Sequence, residues 1–146
     1  MIVPDVNVLL HAYNAGSQRH PALKAWWETV LSGKRPVGLA WPAVLGFIRI
    51  CTNPRILGNP FPVGRAVAVV RSWIAAPCVE LIWPGPKHAE ILFGLLEKAG
   101  AAGNLTTDAH IAALAIEYQA EVATTDLDFG RFAGLQWSIP GGASRK

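Results

Sequence analysis

Four aspartates carry the chemistry this sequence can do: Asp5, Asp108, Asp126 and Asp128, the only aspartates in its 146 residues. Asp5 follows the short apolar run Ile2-Val3, a strand, and precedes a helix over residues 6–15. In an open α/β sheet, ligands sit outside the carboxyl ends of the strands. Asp126 occupies the same kind of place, after the strand at residues 122–124. Asp108 opens a helix whose apolar stripe is Ile111, Leu114, Ala115 and Tyr118. Positions i, i+3 and i+7 share a face, so Asp108 lies in line with Ile111 and Ala115 and points toward the sheet crevice. Asp128 falls in the first turn of a short helix at residues 127–132. Capping stands as the alternative at each position, since aspartate is a preferred N-cap and its charge complements the helix dipole by about 0.3–1 kcal/mol.

Convergent carboxylates repel. Two unit charges ~4 Å apart cost roughly 4 kcal/mol at an effective dielectric of about 20. Protonation or a hard divalent cation would offset that cost. No His or Cys group has zinc-ligand spacing, so an all-oxygen site for Mg²⁺ or Mn²⁺ is the better fit.

The second feature is an absence. Residues 29–79 contain no acid but hold Lys34, Arg35, Arg49, Arg55, Arg65 and Arg71. Such a one-sided field suits a polyanion held beside an acidic pocket. Pairing of some arginines with glutamates elsewhere is the plainer reading. The glutamates, Glu28, Glu80, Glu90, Glu97, Glu117 and Glu121, lie mostly on helix faces or strand starts and read as solvated surface.

The elements that must position these groups alternate. Strands are expected at 2–3, 37–40, 79–83, 122–124 and 135–139. Helices are expected at 6–15, 21–32, 42–51, 63–76, 87–99 and 108–119, the last capped by Thr107. Residues 52–62, with three prolines, two asparagines and a glycine, are a loop. Alternating strands and helices imply an α/β fold: a three-layer α/β/α arrangement around a central, mostly parallel sheet of four to five short strands. The length suits a single domain over residues 1–140, with a frayed polar tail at 141–146. Cys51 and Cys78 read as buried free thiols. The chain carries a net charge of +3 and 51% hydrophobic residues, apolar enough to suggest a partner over part of the surface. No signal peptide or membrane-spanning run is visible, so a cytoplasmic protein is expected.

Three motifs together resemble PIN-domain ribonucleases, most closely the VapC toxins of type II toxin–antitoxin pairs. They are Ile2-Val-Pro-Asp5-Val-Asn7-Val-Leu-Leu, Thr107-Asp108-Ala-His-Ile-Ala-Ala-Leu-Ala, and Ala123-Thr-Thr-Asp126-Leu-Asp128-Phe129-Gly-Arg-Phe132. The resemblance covers nearly the whole chain. It implies a Mg²⁺- or Mn²⁺-dependent cut in RNA and a cognate antitoxin that blocks the site. Asp5, Asp108 and Asp126 match family acids as catalytic and metal-binding residues, Asp128 matches an accessory acid, and Asn7 and Thr124 match polar neighbours. Arg49 and Arg55 are candidates for RNA contact, and a homodimer is expected by analogy. One departure stands out: Gly46 occupies the place of a glutamate the family usually carries. A degenerate module that binds RNA or protein without cutting is therefore the rival. A phosphatase of the haloacid dehalogenase type, which needs Asp-x-Asp after its first strand, is disfavoured because Asn7 holds the second position.

Overall fold

The computed structural model describes residues 1–141 and, in backbone, Ser144–Arg145. Five strands run parallel: β1 (Ile2–Pro4), β2 (Val37–Ala40), β3 (Val79–Ile82), β4 (Glu121–Ala123) and β5 (Gln136–Ser138). A two-residue strand, β6 (Ser144–Arg145), pairs antiparallel with β5 and extends the sheet beyond the expected five strands. The expected fraying of 141–146 falls largely on residues 142, 143 and 146, outside the described residues.

Strand order is β3-β2-β1-β4-β5-β6. The chain winds outward from β1 in one direction and then starts again on its other side at β4. The switch point lies between β1 and β4, where the carboxyl ends leave a crevice. Their register pairs Pro4 with Ala123, and the Asp5 N–H donates to the Ala123 carbonyl at 2.9 Å. The residues that follow each strand are therefore placed side by side by backbone pairing alone.

Helices α1 (Val6–Tyr13), α2 (His20–Ser32), α3 (Trp41–Cys51) and α4 (Val63–Ala75) pack on one face, and α5 (His88–Ala99) and α6 (Thr106–Glu117) on the other. The period-two alternation of strands divides the core. Ile2 and Ala123 face the first layer, while Val3 and Val122 face the second. The first layer centres on aromatics. Trp73 packs edge-on against Phe47 (4.7 Å between centroids) and Trp27 (5.7 Å), and its Nε1 donates to Tyr13 Oη at 2.8 Å.

Several expectations change in detail. Helix α6 begins at Thr106, after a 3₁₀ turn at Gly103–Leu105; Leu105 holds the N-cap position and no side chain caps it, so Thr107 is not the cap. Nor does α6 present a single stripe: Ala109 and Ile111 to Ala115 are all buried, because α6 lies between the sheet and α5. Glu117 is not simply solvated. Its carboxylate accepts from the N–H groups of Gly85 (2.8 Å) and Lys87 (3.0 Å), pinning the loop after β3. A Cβ on Gly85 would lie 2.4 Å from Glu117 Oε2, so any side chain there would displace the Glu117 carboxylate from this clasp. Glu121 pairs with Arg35 at 3.3 Å, which removes one cation from the basic stretch. Cys51 is buried as a free thiol, whereas Cys78 is only half-buried. Among the described residues, no helix is long and apolar enough to cross a membrane.

Trp73 is fully buried and touches both aromatic neighbours and Tyr13. Trp73→Ala should cost about 3–5 kcal/mol, read from the denaturant midpoint at unchanged slope. A loss under 1 kcal/mol would show that the aromatic cluster is not central to the first layer.

Candidate active site

Asp5 is 4% exposed and does two jobs at once. Its Oδ1 accepts the Val6 N–H at 2.7 Å, making it the N-cap of α1. Its Oδ2 accepts from Asn7 Nδ2 and from Thr124 Oγ1, each at 2.9 Å. Capping and site position, set as alternatives by the sequence, coincide. Each carboxylate oxygen offers about two lone-pair positions. Oδ2 is filled, and Oδ1 retains one open position.

Thr124 is the hub. It is completely buried at the carboxyl end of β4. Its hydroxyl gives its single proton to Asp5 and accepts from Asn7 Nδ2 (3.2 Å) and from the Asp126 N–H (3.0 Å). One donor and two acceptor positions exhaust a hydroxyl. Asn7 Oδ1 accepts the Thr125 N–H at 3.0 Å, which fixes the amide orientation, because a backbone N–H can only donate. Asp126 Oδ1 in turn accepts the Asp128 N–H at 2.9 Å, capping the 3₁₀ turn Leu127–Arg131.

Asp108 stands on the opposite wall, in the first turn of α6. Its carboxyl is pushed up to about 7, first by burial and then by the charges of Asp5, Asp126 and Asp128. Asp5 is raised as well, first by burial. Asp5 is the more buried of the two, but its bonds to Thr124, Val6 and Asn7 hold its carboxylate form in place. Among the described residues no hydrogen bond does the same for Asp108, so its charge is less compensated than that of Asp5.

These groups share one cleft of about 360 Å³. Its lining includes Asp5, Asn7, Asp108, Asp126 and Arg49. Asp128 is exposed outside the lining and acts on Asp108 through its charge. Arg55 is exposed in the loop after α3, away from the cleft. Among the described residues, no three acidic, histidine or cysteine side chains close tightly enough to form a ready-made cation cage. The oxygen donors and their mutual repulsion nevertheless suit a hydrated hard cation, which needs only one or two protein carboxylates. Leu10, Ile50 and Asn104 also line the cleft, unexpected from sequence, as does Thr107, expected from sequence only as a helix cap. Helical spacing was the available signal for Leu10, one turn beyond Asn7. Asn104 lies in the 3₁₀ turn, which has no periodic signature.

Gly46 lies on α3 with its Cα toward α1. A Cβ there would stand 2.7 Å from Val6 Cγ2 and 3.3 Å from Cγ1. The place of the usual family acid is therefore filled from the side by a valine adjacent to Asp5.

The fold and this cleft define the class. A family model described as "PIN domain" matches residues 2–135. Ribonuclease VapC33 of Mycobacterium tuberculosis is 46% identical, over 96% of this chain and 98% of its own length. Ribonuclease VapC37 of the same species is 41% identical, over 96% and 97%. The chain belongs to the PIN-domain family, within its VapC branch. Solved structures show the same fold. VapBC2 from Rickettsia felis, bound to a promoter DNA fragment, superposes with TM-score 0.69 at 17% identity, over 95% of this chain and 98% of that one. Mycobacterium tuberculosis VapC20, described as a sarcin–ricin loop cleaving toxin, gives 0.66 at 19% identity, over 92% and 96%.

Two predictions follow from the geometry. Asp108 binds its proton more tightly folded than unfolded, so between about pH 4 and 7 the native state holds the extra proton and stability falls as pH rises. Asp108→Asn should raise the melting temperature in EDTA at pH 8 and leave it nearly unchanged at pH 4; equal effects at both values would refute the assignment. Gly46→Ala should destabilise by about 1–3 kcal/mol through overpacking against Val6, and Val6→Ala should relieve most of that loss in a double-mutant cycle.

Proposed function

We propose that this protein is a divalent-cation-dependent endoribonuclease of the toxin–antitoxin type. Asp108 carries the reading: a carboxylate with no hydrogen-bond donor among the described residues, sharing one cleft with Asp5 and Asp126 and feeling the charge of Asp128 from outside it. Asp5, Asp108 and Asp126 would hold Mg²⁺ or Mn²⁺, with Asp128 contributing charge from outside. A cation held there would supply charge for the phosphoryl oxygens and would make a water more acidic. Thr124 and Asn7 hold Asp5 so that its open Oδ1 position faces one way, and the shared Thr124 hydroxyl fixes the Asp126 backbone to the same frame. Arg49, on the cleft wall, is placed to meet an RNA phosphate, and Arg55 lies further along the same basic stretch.

Relatives named ribonucleases over their full length support RNA as substrate. Solved VapBC neighbours support an antitoxin partner. Exposed Leu45, Trp83 and Phe93 leave apolar surface for that partner or for a second copy of the chain. This function places the protein in the cytoplasm with its RNA substrate.

Gly46 favours a second reading, a module that binds RNA or protein without cleavage. Incubation of folded RNAs with Mg²⁺, Mn²⁺ or EDTA separates the two. Cleavage should require the cation and drop roughly 100-fold or more in Asp5→Asn and Asp108→Asn. Cutting that survives EDTA sinks the nuclease reading; binding without any cutting supports the module.

A further inference from the structure

The α3 wall of the cleft is basic. Gly46, Arg49 and Ile50 share one face of α3 by their i, i+3, i+4 spacing. Gly46 packs against Val6, the residue after Asp5, and Arg49 and Ile50 line the cleft one turn further on. Among the described residues Arg49 is the one basic side chain in that lining, which it shares with Asp5, Asp108 and Asp126. It pairs with none of them: the ion pairs among the described residues join Lys24 to Glu28 and Arg35 to Glu121. Guanidinium and carboxylates therefore stand apart across open space. Nor is Arg49 engaged in capping α3, although a cation in the last turn complements a helix dipole. The Thr52 hydroxyl donates to the Ile48 carbonyl at 2.7 Å. The N–H groups of Asn53 and Phe61 donate to the carbonyls of Ile50 (3.1 Å) and Cys51 (2.8 Å).

The carboxylates themselves limit how many ions can enter. Two-metal sites hold their ions about 3.5–4 Å apart. Two divalent ions repel roughly four times as strongly as two unit charges at the same distance. Carboxylates that bridge both ions, one through each oxygen, must offset that repulsion. Asp5 cannot bridge. Both positions of its Oδ2 are taken by Asn7 and Thr124, and Oδ1, which accepts from Val6, keeps one. Asp126 has one position of Oδ1 engaged by the Asp128 N–H. Gly46 brings no oxygen to the α3 wall, where Arg49 brings a positive charge instead.

We propose that the cleft takes one divalent ion and that the Arg49 guanidinium supplies the second positive charge on the phosphodiester being cut. The role in cutting rests on the ribonuclease reading; the number of ions does not. Hydrolysis consumes one water. Its oxygen bonds to phosphorus, and one P–O ester bond breaks with its electron pair going to the departing oxygen. That oxygen takes one of the water's hydrogens, and the other is released from the new phosphate. Arg49 exchanges no proton in this, because a guanidinium stays charged. Its planar fork reaches two oxygens at once, which suits the non-bridging pair on phosphorus. A fixed cation placed where charge develops acts on the transition state more than on the bound RNA. Arginines supply such charge beside metal ions in phosphoryl transfer. An arginine that only anchored RNA would change KM and leave kcat alone.

The test counts ions and splits the kinetics. Electron paramagnetic resonance of free Mn²⁺, with the full chain alone and with a single-stranded oligodeoxyribonucleotide as an uncut ligand, should find one bound ion per chain. Arg49→Gln should keep that count and tighten Mn²⁺ binding about threefold, because a like charge is gone. On single-stranded RNA the same variant should lose roughly 100-fold in kcat at little change in KM. Arg49→Lys should recover only part of that loss, and added guanidinium ion should restore cutting to Arg49→Ala, which a merely structural role would not allow. Two ions per chain overturn the proposal and leave the ribonuclease standing. So does a rise in KM at unaltered kcat, or weaker Mn²⁺ binding in Arg49→Gln. One ion, bound more tightly without Arg49, in a protein that cuts under no cation leaves the ion count standing and removes the nuclease, with the role of Arg49 in it.

Discussion

The pairing of β1 with β4 is the constraint from which the cleft follows. Three residue pairs bring two segments more than a hundred residues apart into register, and the residues after each strand meet as a consequence. Thr124 makes that meeting specific. Its hydroxyl is saturated by Asp5, Asn7 and the Asp126 backbone, so a change in any one partner disturbs the other two. In a buried network of this kind the members are worth more together than a sum of pairs would suggest.

Against this satisfied wall stands an unsatisfied one. Asp108 arrives on a helix from the other layer, with no donor among the described residues to hold its charge and the charges of Asp5, Asp126 and Asp128 acting on it. Folding thus assembles a local excess of negative charge that the protein alone does not neutralise. The surrounding core can bear the strain because α6 is buried nearly all round and is anchored at its far end by the Glu117 clasp. The site is a region where stability is given up to bring like charges together.

The sequence made the strand ends legible, because short apolar runs followed by Asp are a local signal. It also made the alternating order legible, and with it the layer architecture. The start of α6 was not, since Leu105 offers no side-chain cap and a 3₁₀ turn precedes the helix. The all-round burial of α6 was hidden for a related reason: alanines at 109, 112, 113 and 115 are compatible with exposure or with close packing, and only the neighbouring α5 decides. Tertiary partners equally decided the fate of Glu117, Glu121 and the tryptophans. Trp27 and Trp73 are core, while Trp83 is 55% exposed, and nothing local distinguishes them. Among the acids, convergence on one crevice followed from strand-end logic, but the exclusion of Asp128 from the lining depends on a turn whose backbone Asp126 holds.

The contact between Gly46 and Val6 bears on the paths by which this branch could change. A side chain at 46 crowds the valine at 6, whose Cγ2 would stand 2.7 Å from its Cβ. The two positions are expected to drift as a pair, because room for a side chain at 46 depends on the residue at 6.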